Sequence, residues 1–333
     1  MSDPTEPPVA SVPAPSEVHR TSALVIWNAS AGQKRPLGGG VSVDQARELL
    51  DSRKLRYELV ETTSAEEAVS LARSAASEGR ELVVAAGGDG TIGVISGELV
   101  GSQTALGILP LGSVMNIPRM LGLPRELEPA IDVLATGQVR LVDVGEANGR
   151  LFYEAASVGL NATIFSAAER LMERDYLSLR RLLWIALRHR PARMRLEIDD
   201  RSIETRALMA TISNGPYTGL GMTVAPTARV DDGLFDVRVF RNYSKLELVR
   251  HLLSISFGRR AYMPNTNTYR ASHVRIEARS RSLPVRVDGV NIGRTPLECH
   301  VRRACLRVLV SPDAFEAGQA GQAGQAGRSP DQA

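Results

Sequence analysis

The stretch at residues 82–91, which reads LVVAAGGDGT, constrains the fold of this chain more than any other. Its apolar part is short, partly β-branched and without polar alternation, which predicts a buried strand of a parallel sheet. Glycines directly after such a strand let the backbone adopt positive φ and approach a ligand closely. Free backbone N–H groups there, with the N-terminus of a following helix, bind anions. We therefore predict a phosphate-binding turn; a plain strand-to-helix turn is the alternative.

Asp89 is the unusual member of this turn, because a carboxylate beside a phosphate is repelled unless a metal ion or a hydroxyl donor lies between them. The turn therefore favours a nucleotide bound through its phosphates together with Mg²⁺.

Length and composition set the broad class of protein. The chain has 333 residues, 43% of them hydrophobic, which predicts two medium domains with their own cores. A formal net charge of +3 and 5% aromatic residues argue against a nucleic-acid partner. Cys299 and Cys305 are the only cysteines, so we expect a reducing cytosol and neither a disulfide scaffold nor a zinc site. The histidines are scattered without metal-ligand spacing.

Both ends of the chain differ from the rest in composition. Residues 1–21 are rich in proline and lack the basic start and apolar segment of a signal peptide. Residues 313–333 carry an Ala-Gly-Gln repeat that cannot bury a core. We predict disordered tails over both ranges. Because no apolar run of about 18 residues occurs, we also predict no membrane span.

Two patterns divide the chain between these tails. Strands and helices alternate over 22–145, which predicts an α/β nucleotide-binding domain with ligand loops at the carboxyl ends of parallel strands. Over 146–312, strand-like segments follow one another, interrupted by helix-like segments at 164–189 and 244–258. That pattern predicts an antiparallel second domain. Its last strand is a candidate to return to the first domain.

Four motifs follow one another along the chain: GGDGT at 87–91, PLGS at 110–113, SVGLNA at 157–162, and a stretch from NG at 214 to DDGLFD at 231–236. In this order they resemble the catalytic module of the diacylglycerol kinase and sphingosine kinase family, and most closely its soluble bacterial lipid kinases. The resemblance covers nearly everything but the tails. The glycine-aspartate motif alone is shared with NAD kinases and phosphofructokinases, so the ordered set carries the resemblance.

The resemblance implies both an architecture and a reaction. The architecture is α/β plus β, with an N-terminal parallel-sheet nucleotide-binding domain and a C-terminal antiparallel β-sandwich domain, as in NAD kinases and diacylglycerol kinases. The reaction transfers the γ-phosphoryl group of ATP to the hydroxyl group of a diacylglycerol or a sphingoid-like lipid, with Mg²⁺. The alternatives are a catalytically impaired regulator that binds nucleotide or lipid, and an NAD kinase.

Carried over by position, the resemblance implies a nucleotide site built from several turns. Asn28, Ser30 and Gly32 match the family's first turn, and Ser113 keeps a hydroxyl group where the family usually has threonine. The implied nucleotide contacts are Asn28, Ser30, Gly32, Thr62, Gly87, Gly88, Asp89, Gly90, Thr91, Ile92, Gly93 and Ser113.

The resemblance also implies a metal site and catalytic carboxylates. Asp232, helped by the backbone carbonyls of Arg229 and Leu234, matches a structural Mg²⁺ site, and oxygen ligands of that kind suit a hard cation. A plain turn between strands is the alternative. Asp143 matches an aspartate that orients the catalytic group, with an Asx turn at the strand end as the alternative. The catalytic candidates are Asp89, Asp143 and Asp288.

Two positions depart from the family pattern. By gapless count Asn116 stands where the family has an aspartate, whereas a one-residue shift makes it the family's asparagine. Val290 stands where the family has the glutamate thought to deprotonate the lipid hydroxyl, a contribution of about 10²–10⁴-fold in rate. Three accounts stay open: Asp143 or Asp288 is the base, the reaction needs no strong base, or the protein binds without turnover.

Residues 177–190 are apolar with basic residues at both ends. This pattern is typical of a segment at an anionic membrane surface or along a lipid cleft, and a core helix with solvated arginines is the alternative. We expect a lipid substrate, a peripheral membrane surface and a cytoplasmic, membrane-associated protein. A homodimer is one candidate assembly.

Overall fold

The computed structural model describes residues 22–31, 41–159, 191–219, 221–241, 266–279 and 281–312. Gly32, both predicted tails and the segments at 164–189 and 244–258, with the basic-apolar stretch at 177–190, lie outside the described residues. None of the described helices is long and apolar enough to cross a membrane.

The first half alternates strands and helices, as its sequence pattern predicts. Its elements are β1 (Ala23–Asn28), α1 (Val43–Ser52), β2 (Tyr57–Thr62), α2 (Ala65–Ser77), β3 (Leu82–Gly87), α3 (Asp89–Leu99), β4 (Ala105–Pro110), α4 (Asn116–Met120), α5 (Leu127–Thr136) and β5 (Gln138–Ala147). The parallel strands lie in the order β2-β1-β3-β4.

Helices cover both faces of this parallel sheet. β3 and β4 are buried along their whole length because apolar side chains point alternately to two cores. One core contains residues of α2 and α3, and the other contains residues of α1 and α5. The carboxyl ends of β1, β3 and β4 therefore lie at one edge of a three-layer arrangement of helices, sheet and helices.

The second half is built from antiparallel strands around a separate core. Its elements are β6 (Arg150–Phe152), β7 (Ala155–Gly159), β8 (Ala192–Ile198), β9 (Arg201–Ser213), β10 (Tyr217–Thr218), β11 (Met222–Thr223), β12 (Phe235–Arg241), β13 (Thr266–Ala271), β14 (His273–Ala278), β15 (Pro284–Val287), β16 (Val290–Arg294) and β17 (Leu297–Val310). A parallel sheet with helices followed by antiparallel strands confirms the predicted fold class.

β17 connects the two halves. Its first residues pair antiparallel with β14, whereas Val308 near its end pairs parallel with Leu106 of β4. Along most of its length it also pairs antiparallel with β5, the strand that contains the predicted domain boundary at 145/146. The backbone hydrogen bonds thus run without a break from β2 to the hairpin of β15 and β16.

Candidate functional site

A cleft of about 290 Å³ opens at the carboxyl ends of β1, β3 and β4. Ligands of open α/β sheets bind at this edge, because the loops that follow the strands diverge there. The lining residues are Asn28, Ser30, Ala31, Gly88, Asp89, Gly90, Thr91, Leu111, Gly112, Ser113 and Val114. The structure thus brings together most of the residues for which nucleotide contacts are predicted.

Two glycine turns approach each other closely at the floor of the cleft. A Cβ atom on Gly112 would lie 2.7 Å from the Cα atom of Gly88, a distance that side chains do not tolerate. A Cβ atom on Gly87 would lie 2.5 Å from the side chain of Thr91. The turns after β3 and β4 therefore need glycine for packing. Because they approach so closely, the backbones of both turns line the same part of the cleft.

The N-terminus of α3 faces this cleft. Ser42 and Ser64 cap α1 and α2 through their side chains, whereas Gly88 precedes α3 without a side-chain cap among the described residues. The first N–H groups of a helix have no partner within the helix, and the helix dipole adds partial positive charge there. An uncapped helix start behind two glycine turns is suited to bind phosphate.

Asn28 connects the turn after β1 to the start of α3. Its Nδ2 donates to Thr91 Oγ1 at 2.8 Å, and its Oδ1 accepts the backbone N–H of Ser30 at 2.9 Å. Because Thr91 Oγ1 accepts from Asn28, its own O–H is oriented away from that amide. One wall of the cleft is therefore fixed by side chains on two different elements.

Asp89 lines the cleft, but its carboxylate is already committed to the backbone. Oδ2 accepts the N–H of Asn116 at 3.0 Å, and Oδ1 accepts the N–H of Ile117 at 2.9 Å. These two N–H groups are the first of α4, so Asp89 caps that short helix. Asp89 therefore connects the N-terminus of α4 to the glycine-rich turn.

Four of the predicted nucleotide contacts lie behind the cleft and not among its lining residues. Thr62 is buried at the end of β2, where its Oγ1 donates to the carbonyl of Trp27 at 3.3 Å. Ile92 is fully buried in the core, and Gly93 faces the ring of Tyr153. Gly87 is buried at the end of β3. These four residues therefore belong to the packing around the cleft and not to its lining.

The loop predicted to hold Mg²⁺ carries its own counter-cations. Arg229 pairs with Asp231 through two bonds of 3.0 Å, and Arg270 Nη2 pairs with Asp232 Oδ2. The other oxygen of Asp232 accepts the N–H of Leu234 at 3.0 Å. Mg²⁺ requires about six oxygen ligands in octahedral geometry. In this arrangement a guanidinium group occupies the cation position beside Asp232, so the loop does not fit the Mg²⁺ site expected from the sequence.

Asp143 holds this loop against the rest of the molecule. Its Oδ2 accepts the N–H of Gly233 at 2.6 Å, and its Oδ1 accepts the N–H of Ala304 at 2.7 Å. Ala304 has a φ of 46° and lies in the bulge where the pairing of β17 with β5 shifts register. The buried carboxylate of Asp143 thus positions the 231–234 loop and a strand bulge, which is a structural task.

Asp288, the third predicted catalytic carboxylate, binds the backbone of a neighbouring segment. Its oxygens accept the N–H groups of Tyr153 at 2.7 Å, Glu154 at 2.9 Å and Ala155 at 3.0 Å. Burial raises the pKa of Asp288 to about 6, although the three backbone donors lower it in part. The next residues form a hairpin turn, after which the side chain of Val290 is 46% exposed.

Glu154 is the residue that sequence reasoning missed. It lies between β6 and β7, is 7% exposed, and its Oε2 accepts the N–H of Gly219 at 3.0 Å. Burial, followed by the charges of Asp288 and Asp89, raises the pKa of Glu154 to about 8. A signal was present, because an acidic residue inside the apolar run FYEAA is unusual.

Two of the histidines come together in space. His273 and His300 are paired across β14 and β17, with stacked rings whose centroids are 4.4 Å apart. Glu298 Oε1 lies 3.1 Å from His273 Nε2 and 3.5 Å from His300 Nε2. The spacing along the sequence did not indicate this pair, because antiparallel pairing joins positions that are distant in the chain.

Comparison with protein families finds two matches that together span most of the chain. Residues 22–147 match the family described as "Diacylglycerol kinase catalytic domain". Residues 155–310 match the family described as "YegS C-terminal NAD kinase beta sandwich-like domain".

Several relatives are named as lipid kinases. A "Probable lipid kinase YegS-like" of Pseudomonas aeruginosa is 30% identical over 244 residues, which cover 72% of this chain and 79% of that protein. A protein of the same description from Chromohalobacter salexigens is 36% identical over 193 residues, which cover 56% of this chain and 62% of the relative. The "Diacylglycerol kinase" of Bacillus subtilis is 26% identical over 244 residues, covering 71% and 80%.

Solved structures show the same fold. A putative diacylglycerol kinase from Bacillus anthracis superposes with a TM-score of 0.70 at 20% identity, covering 88% of this chain and 98% of that one. A further diacylglycerol kinase structure from that organism gives a TM-score of 0.68 at 19% identity, with the same coverage. At this identity the likeness establishes the arrangement of strands and helices.

Proposed function

This chain belongs to the family of bacterial diacylglycerol kinases and YegS-like lipid kinases, and we propose that it transfers the γ-phosphoryl group of ATP to the hydroxyl group of a lipid. Membership of the family supports a phosphotransferase. ATP as the donor and a diacylglycerol or sphingoid-like lipid as the acceptor are the proposed parts.

One observation carries the nucleotide half of this proposal. The uncapped N-terminus of α3 lies behind two glycine turns that approach within van der Waals contact, at the edge where parallel strands end. Asn28, Ser30, Thr91 and Ser113 add polar side chains to the lining. We propose that the phosphates of ATP lie here, and that Mg²⁺ enters as part of the Mg·ATP substrate and neutralises phosphate charge.

The lipid half of the proposal draws on the names of the relatives and on the second domain beside the cleft. Arg119 of α4 lies over the ring of Tyr217 in the second domain, 3.6 Å from its centroid. Asn116 Nδ2 donates to the carbonyl of Gly219 at 2.7 Å. The two domains therefore meet at α4, and we propose that the acceptor hydroxyl approaches from this side, in a cytoplasmic protein at a membrane surface.

A catalytically impaired regulator is the second candidate, because Val290 offers no proton acceptor and is exposed on its hairpin. NAD kinase activity is the third, since the glycine-aspartate turn is common to both families.

Phosphate transfer from labelled ATP to diacylglycerols and long-chain bases tests the proposal. We expect a labelled lipid phosphate whose formation falls at least tenfold in Thr91→Val, because the substitution removes a hydroxyl group from the cleft while keeping side-chain volume. Gly97→Ala on the same helix is the control, since among the described residues its Cβ meets only Tyr153 Oη, at 3.9 Å. Nucleotide binding without any labelled lipid would favour the regulator, and formation of NADP from NAD would favour the NAD kinase.

A further inference from the structure

The hairpin turn between β15 and β16 lacks the proton acceptor expected from the family. Val290 follows Asp288 and Gly289 in this turn, and a valine side chain cannot accept a proton. The oxygens of Asp288 are already engaged, because they accept three backbone N–H groups of the segment 153–155. If the protein transfers phosphate to a hydroxyl group, as proposed above, another group has to take the proton.

Glu154 lies beside this turn, and its backbone and its side chain are both hydrogen-bonded to neighbouring segments. Its backbone N–H donates to Asp288 Oδ1 at 2.9 Å, and its carbonyl accepts the N–H groups of Asn214 at 3.0 Å and Gly215 at 3.3 Å. Its carboxyl group accepts the N–H of Gly219 at 3.0 Å. Glu154 is therefore fixed between the hairpin and the loop that contacts α4.

Asn116 links Glu154 to the nucleotide cleft. Its backbone N–H binds Asp89, which lines the cleft, and its side chain interacts with the carboxyl group of Glu154. Asn116 is 1% exposed, and its Oδ1 has no hydrogen-bond partner among the described residues. A buried acceptor without a partner is costly. A substrate hydroxyl placed between the cleft and Glu154 would supply the missing donor.

We propose that Glu154 is the proton acceptor for the lipid hydroxyl group, in place of the carboxylate absent at position 290. As the hydroxyl oxygen forms its bond to the γ-phosphorus, its proton passes to the carboxylate of Glu154. The bond between the γ-phosphorus and the β,γ-bridging oxygen breaks, and ADP leaves with that electron pair. Glu154 then releases the proton to water.

The surroundings of Glu154 suit this task. Two carboxyl groups face it, Asp288 of the hairpin and Asp89 of α3, while Asn116 and the N–H of Gly219 offset them in part. Together with burial they raise the pKa of Glu154 to about 8. A carboxylate with a pKa near the working pH is a much stronger base than an exposed glutamate, and yet remains partly ionised.

Glu154→Gln tests the proposal, because it removes the base and keeps the shape and the hydrogen-bond acceptor of the side chain. We expect kcat to fall by about 10²–10⁴-fold with ATP affinity and folding unchanged. The wild-type kcat/KM should rise with pH through an apparent pKa near 8, and this limb should vanish in the variant. The double variant Glu154→Gln/Val290→Glu should regain part of the rate, because it restores the carboxylate on the facing turn.

Glu146→Gln is the matched control, since Glu146 lies on the neighbouring strand β5 and pairs only loosely with Arg302, at 3.7 Å. It should leave both rate and pH profile unchanged. If the wild type is active and Glu154→Gln reacts at a similar rate, the role of Glu154 is overturned and the proposed function is kept. A wild type that binds ATP and phosphorylates no lipid overturns the proposed function as well. Should Glu154→Gln fail to fold, the wild-type pH profile decides, and a profile without a limb near pH 8 overturns the role.

Discussion

The three aspartates predicted to be catalytic all bind backbone N–H groups. Asp89 caps α4, Asp143 binds the 231–234 loop and the bulge of β17, and Asp288 binds the segment 153–155. A carboxylate that accepts several backbone bonds is strongly oriented, because each charge-assisted bond constrains its direction. Asp288 and Asp89 face Glu154, and substitution of any of the three aspartates is expected to alter folding as well as rate.

The free energy of unfolding is expected to depend on pH through Glu154. Its pKa in the folded protein is raised from 4.5 to about 8, so the folded state binds this proton more tightly than the unfolded chain. The stabilisation is complete below pH 4.5 and is lost as pH rises through about 8. Between about pH 6.5 and 8.5, the free energy of unfolding measured by urea titration should fall by roughly 2 kcal/mol more in the wild type than in Glu154→Gln.

Asp288 also makes the free energy of unfolding fall as pH rises, but over a lower range of pH than Glu154. Because the pKa of Asp288 is raised only to about 6, most of its contribution is already lost before the pH window of Glu154 begins. Parallel pH dependence of wild type and Glu154→Gln in that window would contradict the assignment.

The sequence could place both acids in the second domain, but not side by side, since 134 positions separate Glu154 from Asp288.

Among the elements, β13 supplies the cation that the 231–234 loop needs. Arg270 pairs with Asp232 of the loop and lies 3.5 Å from Asp236 of β12, so one guanidinium group serves two carboxylates. An aspartate pair deprived of this cation would repel and would become a place for a metal ion. The family resemblance alone pointed to Mg²⁺ here, because no sequence rule pairs a residue of one strand with a loop 38 positions earlier.

Arg270→Gln is expected to make the protein sensitive to Mg²⁺. The variant should melt several degrees lower than the wild type in chelator, and millimolar Mg²⁺ should restore part of its Tm. The wild-type Tm should not respond. Arg279→Gln is the control, since Arg279 forms an ion pair with an exposed partner, Glu204. A wild type whose Tm rises with Mg²⁺ as much as that of Arg270→Gln would show that the loop binds the metal beside the arginine.

Gly112→Ala is expected to close the cleft. The added Cβ would lie 2.7 Å from both the Cα of Gly88 and the Sδ of Met115, so the two turns must separate. ATP affinity measured by calorimetry should fall at least tenfold. Gly97→Ala, within α3 and away from the cleft, should keep that affinity and is expected to stabilise the helix by up to about 1 kcal/mol. Equal affinity in both variants would mean that the turns do not form the binding site.

The helices and parallel strands were predictable because their signals are local, whereas the site was predictable only in part. Buried apolar runs ending at glycine mark β3 and its turn, and alternation with helices marks the parallel sheet. The position of α4 against Asp89, and the distinction between residues that line the cleft and residues such as Thr62 behind it, depend on packing between distant segments.

For the whole molecule, β17 decides how independent the two domains are. It adds a parallel neighbour to β4, pairs with β5 over most of its length, and continues into the second domain beside β14. The core of the first domain includes its residues Leu306, Val308 and Val310. The first domain is therefore completed by residues from the far end of the described chain.

A chain that ends at Pro296 is expected to lose cooperative unfolding in both domains, because it leaves one edge of β4 and one side of β5 unpaired and uncovers apolar core. A chain that ends at Pro312 is the control and should unfold as the full-length protein does. Circular dichroism during urea titration measures both. A single sharp transition in the shorter chain would contradict this role of β17.

The same strand has a consequence for the order of events during synthesis. The nucleotide cleft is built from residues that leave the ribosome early, yet the sheet that supports it lacks β17 until about residue 310 has emerged. Until then the nascent first half presents an unpaired strand edge, the kind of surface that chaperones bind and that other nascent chains can join. We therefore expect the cleft to reach its final shape only after β17 has joined the sheet.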